Sequence, residues 1–316
     1  MKYVFGPVPS RRLGQSLGIG TIPHKTCNWN CVYCQLGRTV PLTNERKEYY
    51  PCDEILAEVK QYLASHKSGE IDWVAFVGSG EPTLHSGLGW LIEQVKTFTN
   101  LPVAVITNGS LLNKRAVRAE LNHADAVLPS LDAGNQRLSR RINRPWPRLT
   151  FKKLLKGLVA FRSEYSGRLW VEVMLVQGLN DSKEALEEIA YALRKIHPDE
   201  VHINLPSRPP AETWVRPPEE AALTQAAEIF GDITRIVRPV DGLFDMACCG
   251  EVTEAILSII ARHPMREQEL RSMLKRWEAE QVEAALNKLA ADGQTQMVER
   301  YGSRFWSVSV ARYAKI

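Results

Sequence analysis

Short β-prone runs alternate with helical stretches along most of the chain, and no other feature restricts its fold as strongly. Strands are expected near residues 17–22 and over 71–77, 102–107, 126–131, 169–176 and 201–205. Between them, apolar residues recur at helical spacing. Ile55, Leu56, Val59 and Leu63 follow a capping Asp53, and Leu154, Leu155, Leu158 and Val159 follow a capping Thr150. Leu88, Leu91, Ile92, Val95 and Phe98 mark another face, as do Leu112, Val117 and Leu121. Asp181 and Glu184 have the form of a capping box ahead of Leu186, Ile189 and Leu193. Six strand–helix units of this kind build a parallel sheet. The expected fold is α/β, a partial (β/α)6 TIM-like barrel over residues 1–240.

After Gly250 the pattern changes. Three helices are predicted over 251–262, 267–274 and 280–291. Two β-like stretches, 294–299 and 304–308, flank Tyr301-Gly302-Ser303 and read as a hairpin. Three helices and a hairpin suggest a small winged-helix domain over 251–316. Its third helix carries Glu280 and Glu283 against Lys288, which suits substrate or protein docking better than duplex DNA.

The 316 residues are 44% hydrophobic and 24% charged, with a formal net charge of +4, as in an ordinary globular protein. A polyanionic partner is permitted by that charge and not required by it. No apolar run of about 18 residues is present, and the start lacks a signal-peptide pattern, so a cytoplasmic enzyme without membrane attachment is expected.

The six cysteines are Cys27, Cys31, Cys34, Cys52, Cys248 and Cys249. Tight clustering favours metal ligation over disulfides. Cys27, Cys31 and Cys34 stand at spacing C-x3-C-x2-C, and soft thiolates select iron–sulfur centres or zinc. A cubane held by three thiolates leaves one iron open to an outside molecule, whereas zinc would need a fourth ligand such as His24. Cys248 and Cys249 read as a buried pair, as a hydrogen-atom donor, or with Cys52 as contacts to another metal site.

Cys27, Cys31, Tyr33 and Cys34 match C-x3-C-x-aromatic-C, and the segment resembles the radical SAM superfamily. The resemblance implies a 4Fe-4S cluster on the three cysteines, with S-adenosylmethionine on the open iron and Tyr33 against its adenine side. It further implies reductive cleavage to a 5′-deoxyadenosyl radical, with reduced ferredoxin or flavodoxin as electron donor. The stretch 6–14, with Lys25-Thr26 and Gln35-Leu36-Gly37, is similar to a branch grouped with wyosine-type tRNA-modifying enzymes. The broader likeness covers roughly residues 10–240, and the narrower one mainly the first forty.

Gly80, Glu81 and Pro82 match the family's G-G-E-P motif, with Ser79 in place of the first glycine. The resemblance implies that this loop binds the cofactor's amino group and that Glu81 braces it. Asn108, Ser130 and Asp132 end predicted strands, where parallel sheets place ligands, so they are candidates for cofactor contacts or simple turn caps. Glu172 shares its parity with Met174 and is a further cofactor-site candidate; His202 and Asn204 form a similar pair.

Residues 133–168 carry ten basic side chains against the single acid Glu164, and Arg144-Pro145-Trp146-Pro147-Arg148 sets an indole between two guanidinium groups. Such a surface attracts phosphates, and an aromatic can stack on an unpaired base. A substrate such as tRNA or a small anionic metabolite is expected. The competing readings are an iron–sulfur-sensing nucleic-acid-binding regulator and a structural zinc protein.

Overall fold

The computed structural model describes residues 2–10, 12–67, 69–238 and 250–315. Cys248 and Cys249, and the expected junction between the two units, lie outside them.

An eight-stranded sheet in sequence order organises residues 4–236. A hairpin of β1 (Val4–Ser10) and β2 (Gly14–Ile19) opens it, with the two strands antiparallel. All later neighbours run parallel: β3 (Trp73–Phe76), β4 (Val103–Thr107), β5 (Ala126–Pro129), β6 (Arg168–Met174), β7 (Glu200–Asn204) and β8 (Thr234–Ile236). The six predicted strands are β2 to β7. The additions are the two edges. β1 contains Pro7 and Pro9, which lack an N–H and are tolerated on an edge strand, and β8 has only three residues.

Helices cover the outside: α1 (Cys52–Ala64), α2 (Leu88–Lys96), α3 (Arg115–Leu121), α4 (Gln136–Ile142), α5 (Phe151–Glu164), α6 (Lys183–Ile196) and α7 (Glu220–Phe230). Thr150 caps α5 through the Lys153 amide, as expected. Two other starts differ, by one residue at α6 and by two at α1. Ser182 caps α6, because the Asp181 carboxylate instead accepts from the Gly178 amide, and Pro51 precedes α1 where Asp53 was expected to cap.

Strand parity divides the barrel's contents. Val74, Phe76, Val103, Val105, Leu169, Val171 and Val173 pack outward against the helices. Ala75, Ala104, Ala126, Leu128 and Trp170 form a separate inner cluster. The three inward alanines leave space for the Trp170 indole and for Leu13, which enters from the β1–β2 turn. Each fully buried Val, Leu or Ile side chain contributes roughly 1.5–3 kcal/mol, so both faces of the sheet supply the stability. Arg12 from the same turn reaches inside the barrel and pairs with Glu172 on β6.

Residues 252–308 form α8 (Val252–Ile260), β9 (Met265–Arg266), α9 (Glu267–Met273), α10 (Ala279–Ala291), β10 (Thr295–Arg300) and β11 (Ser303–Val308). The three short strands make one antiparallel sheet with β11 central. Ile256, Ile259, Leu270, Leu286 and Trp306 belong to a core distinct from that of the barrel.

This C-terminal unit is tied to the segment just after Cys34. The Arg38 amide donates to the Arg312 carbonyl at 2.6 Å, and the Tyr313 hydroxyl to the Gln35 carbonyl at 2.6 Å. Gly37 has φ +79°, and a Cβ there would stand 2.5 Å from the Arg312 carbonyl oxygen. Neither atom belongs to a side chain that could swing aside. Gly37→Ala should therefore cost about 1–3 kcal/mol and release the tail, seen as a lower unfolding midpoint and faster amide exchange at Arg38.

Candidate active site

The cysteine loop, residues 26–37, crosses the C-terminal ends of the parallel strands, where parallel barrels build their sites. It has almost no regular structure and is fixed instead by polar side chains. Asn28 is fully buried. Its amide nitrogen donates to Asn44 and to the Ser110 hydroxyl, both at 2.9 Å, and its oxygen accepts from Asn108 at 2.7 Å. On the other side, the amides of Asn30 and Val32 donate to the Asn143 and Ile142 carbonyls, each at 2.9 Å.

Each of the three loop sulfurs receives an N–H donor. Cys27 accepts from the Trp29 amide at 3.4 Å and from Asn108 at 3.8 Å. Cys31 accepts from Asn143 at 3.8 Å, and Cys34 from the Lys25 ammonium at 3.1 Å. Burial pushes the Cys27 thiol up to about 12 and that of Cys31 well above its ordinary value. Thiolates at these positions therefore need a positive partner, and iron would provide one. Among the described residues, no three His, Cys, Asp or Glu side chains converge on a single ion. A cubane distributes its thiolates over several irons and has no need of such convergence. The donor set fits an iron–sulfur centre.

Beside the sulfurs opens a cavity of about 430 Å³, and Cys27, Cys31, Tyr33 and Cys34 are in its lining. Gly78, Gly80, Glu81, Asn108, Ser130, Glu172, Met174 and Asn204 complete the wall formed by the strand ends. The Gly80–Glu81 loop is clamped to the cysteine loop: the Glu81 amide donates to the Thr26 carbonyl at 2.9 Å, and a Cβ on Gly80 would lie 2.0 Å from that oxygen. Pro82 starts a short 3-10 turn behind the loop. Burial raises the Glu81 carboxyl, yet four groups donate to it: the Thr83 and Asn108 amides and the Thr83 and Thr107 hydroxyls. Glu81 thus braces β3 to β4.

Asp132 sits behind the cavity wall. Its carboxylate accepts from the Tyr33 hydroxyl at 2.5 Å, Asn143 at 2.6 Å and the Met174 amide at 2.8 Å, while burial raises its pKa. These bonds fix the Tyr33 ring beside Cys31 and Cys34. Glu172 reaches the cavity but is paired with Arg12. Asn204 lines the cavity, whereas His202 is buried and bonded to Glu200 at 2.9 Å. Cys52 opens α1 with its sulfur against Gly87 and is not in the lining.

Sequence reasoning missed three participants: Lys25, Asn143 and Arg262. Lys25 carried one signal, its position two residues before Cys27. Asn143 and Arg262 are separated from the cysteines by more than a hundred residues, and only the folded chain brings them in.

A family model described as Radical SAM superfamily matches residues 21–190. A UPF0026 protein of Methanocaldococcus jannaschii is 35% identical over 315 residues, covering 98% of this chain and 97% of that protein. A probable dual-specificity RNA methyltransferase RlmN of Acaryochloris marina is 26% identical over 72% of this chain and 64% of its own length. The crystal structure of a radical SAM methyltransferase from Sphaerobacter thermophilus superimposes with a TM-score of 0.51 at 18% identity, covering 72% of this chain and 67% of that one. That last likeness is one of fold. With the matched model spanning the cysteine loop and most of the barrel, the chain belongs to the radical SAM superfamily and is an enzyme whose cofactors are a 4Fe-4S cluster and S-adenosylmethionine.

Proposed function

We propose that Cys27, Cys31 and Cys34 hold the cluster and that the enzyme abstracts hydrogen from a substrate seated in the barrel cavity, with tRNA as the favoured class. Bound there, the cluster and S-adenosylmethionine supply a 5′-deoxyadenosyl radical. The observation that carries this reading is the set of three loop sulfurs, each with an N–H donor, facing one cavity. Hydrogen bonds of this kind raise a cluster's reduction potential, and the Lys25 ammonium adds a full positive charge. Gly80, Glu81, Asn108 and Ser130 form the cofactor wall in this reading, with Pro82 stiffening the loop from behind. Tyr33 and Glu172 flank it, and Asp132 positions Tyr33 from behind. Reduced ferredoxin or flavodoxin is the fitting electron donor.

The tRNA reading is supported by charge and by position. α4 exposes Arg137, Arg140 and Arg141, and α5 exposes Lys152, Lys153 and Lys156. Trp146 and Pro145 lie against the cysteine loop, through the Trp146 amide bonded to the Asn28 carbonyl at 2.8 Å and a bridge from Pro145 to Trp29. Arg144 is engaged with Glu212, which also pairs with Arg38, so the outward-facing charges are the better candidates for phosphate contacts. The RNA methyltransferase relative adds to this reading. We further read residues 1–240 as the catalytic barrel and 251–316 as a winged-helix-like docking unit. A DNA-reading regulator is disfavoured because Glu283 of α10 pairs with Arg271 and Glu280 is exposed. Among the described residues, no helix is long and apolar enough to cross a membrane.

Anaerobically reconstituted protein given S-adenosylmethionine and dithionite should release 5′-deoxyadenosine, measured by chromatography. Cys31→Ala should reduce the yield to background; persistence of the product would refute the ligand set. Replacing Arg140, Arg141 and Arg148 together by Glu should weaken binding to bulk tRNA. It should also flatten the plot of log K against log salt by about one unit per lost phosphate contact. An unchanged slope would favour a small metabolite.

A further inference from the structure

The cavity wall is completed by residues from outside the barrel. Arg262 and His263, which follow α8 of the C-terminal unit, line it together with Phe5 of β1. The Arg262 carbonyl is held by the Gln35 side chain at 2.8 Å, and its amide by the Ile259 carbonyl. The backbone of this arginine is therefore fixed to the segment following Cys34.

Its side chain is seated in an unusual way. Phe5 stands opposite Gly18 in the β1–β2 ladder, and the missing Gly18 side chain lets the phenyl ring fold across the strand. A Cβ on Gly18 would come within 2.1 Å of that ring. The Arg262 guanidinium rests 4.1 Å from the ring centroid. The arginine is half-buried, and among the described residues its Nε has no hydrogen-bond partner and no ion pair joins it to an acid, Glu58 and Tyr50 acting on it only at longer range. An aromatic face stabilises a cation without neutralising it. The positive charge therefore remains available to the cavity.

Among the described residues, the rest of the lining offers Arg262 no ion-pair partner. It contains the cations Arg12, Lys25, Arg208 and Arg262 and the carboxylates Glu81 and Glu172. Arg12 takes Glu172, and the oxygens of Glu81 are held by Thr83, Thr107 and Asn108. Neither carboxylate answers Arg262. A half-buried cation that faces a cavity and has no ion-pair partner among the described residues is the arrangement that recruits an anion from a ligand.

We propose that Arg262, carried on the Phe5 ring, is the seat for an anionic group of the substrate, a phosphate or a carboxylate, so that the C-terminal unit completes the substrate site. This rests on the reading of the cavity as the substrate chamber. The geometry gives the unit a role in substrate binding. A nucleotide phosphate and a metabolite carboxylate share the chemistry required.

The test is isothermal titration of the reconstituted full chain, at constant ionic strength, with inorganic phosphate and separately with acetate. Saturable binding of at least one is expected. Arg262→Gln should raise its Kd about tenfold or more, as loss of a charge-assisted contact does. Arg262→Lys should fall between, keeping the charge and losing the fork. Phe5→Leu keeps the guanidinium and removes its platform, and should raise the Kd about two- to fivefold. It serves as the second variant where Arg262→Gln does not fold. Tighter phosphate points to a nucleotide, and tighter acetate to a carboxylate metabolite. The proposal is overturned if neither probe binds, or if the Kd is unchanged in every variant that folds. Formation of 5′-deoxyadenosine by the wild type, assayed alongside, separates the two readings. If that product forms and the anion result is negative, only the anion seat fails; if it is absent, the functional reading fails.

Discussion

A loop that presents three sulfurs to one cavity has to be rigid without being helix or strand, and the buried amide of Asn28 is what makes this possible. Its three partners come from two directions: Asn44 beyond the cysteines, and Asn108 and Ser110 at the end of β4. An amide buried this completely is stabilising only when its donors and its oxygen are all engaged, and a partial set would be worse than an apolar residue. The other braces follow from it. Glu81 ties β3 to β4 beneath Asn108, and Asp132 ties Tyr33 and Asn143 to β6. Two acidic groups in this region are thus used to hold geometry and have little capacity left for ligand.

The barrel was legible in the sequence because its signals are local. Parallel strands buried on both faces read as unbroken apolar runs, such as Val74-Ala75-Phe76 and Val103-Ala104-Val105, and helical spacing is visible between them. The edges were not. β1 is interrupted by prolines that its free side tolerates, and β8 is too short to carry a pattern. Caps were legible to within two residues; at α6, Ser182 and Asp181 compete for the same turn and only the Gly178 amide decides between them.

The site divides along the same line. The spacing of Cys27, Cys31 and Cys34, and the match of Gly80, Glu81 and Pro82 to a known motif, could be read directly. Direction could not. A polar residue ending a strand, like Asp132 or Asn108, looks alike in sequence whether it faces the cavity or a neighbouring strand. In the fold Asn108 does both, and Asp132 faces the elements behind. Arg262 has no sequence signal at all, because its place depends on how two separately cored units meet.

The bonds from Arg312 and Tyr313 to the segment 35–38 span 278 positions in the case of Tyr313 and Gln35. A ribosome making this chain exposes the cysteines long before residues 312–313 have left the exit tunnel. Until then the backbone beside Cys34 lacks its cover, and iron delivered at that stage would meet an unfinished pocket. Metal insertion that waits for residues 312–313 to emerge would meet a covered one, which makes the order of synthesis and cluster delivery a matter of protein quality control.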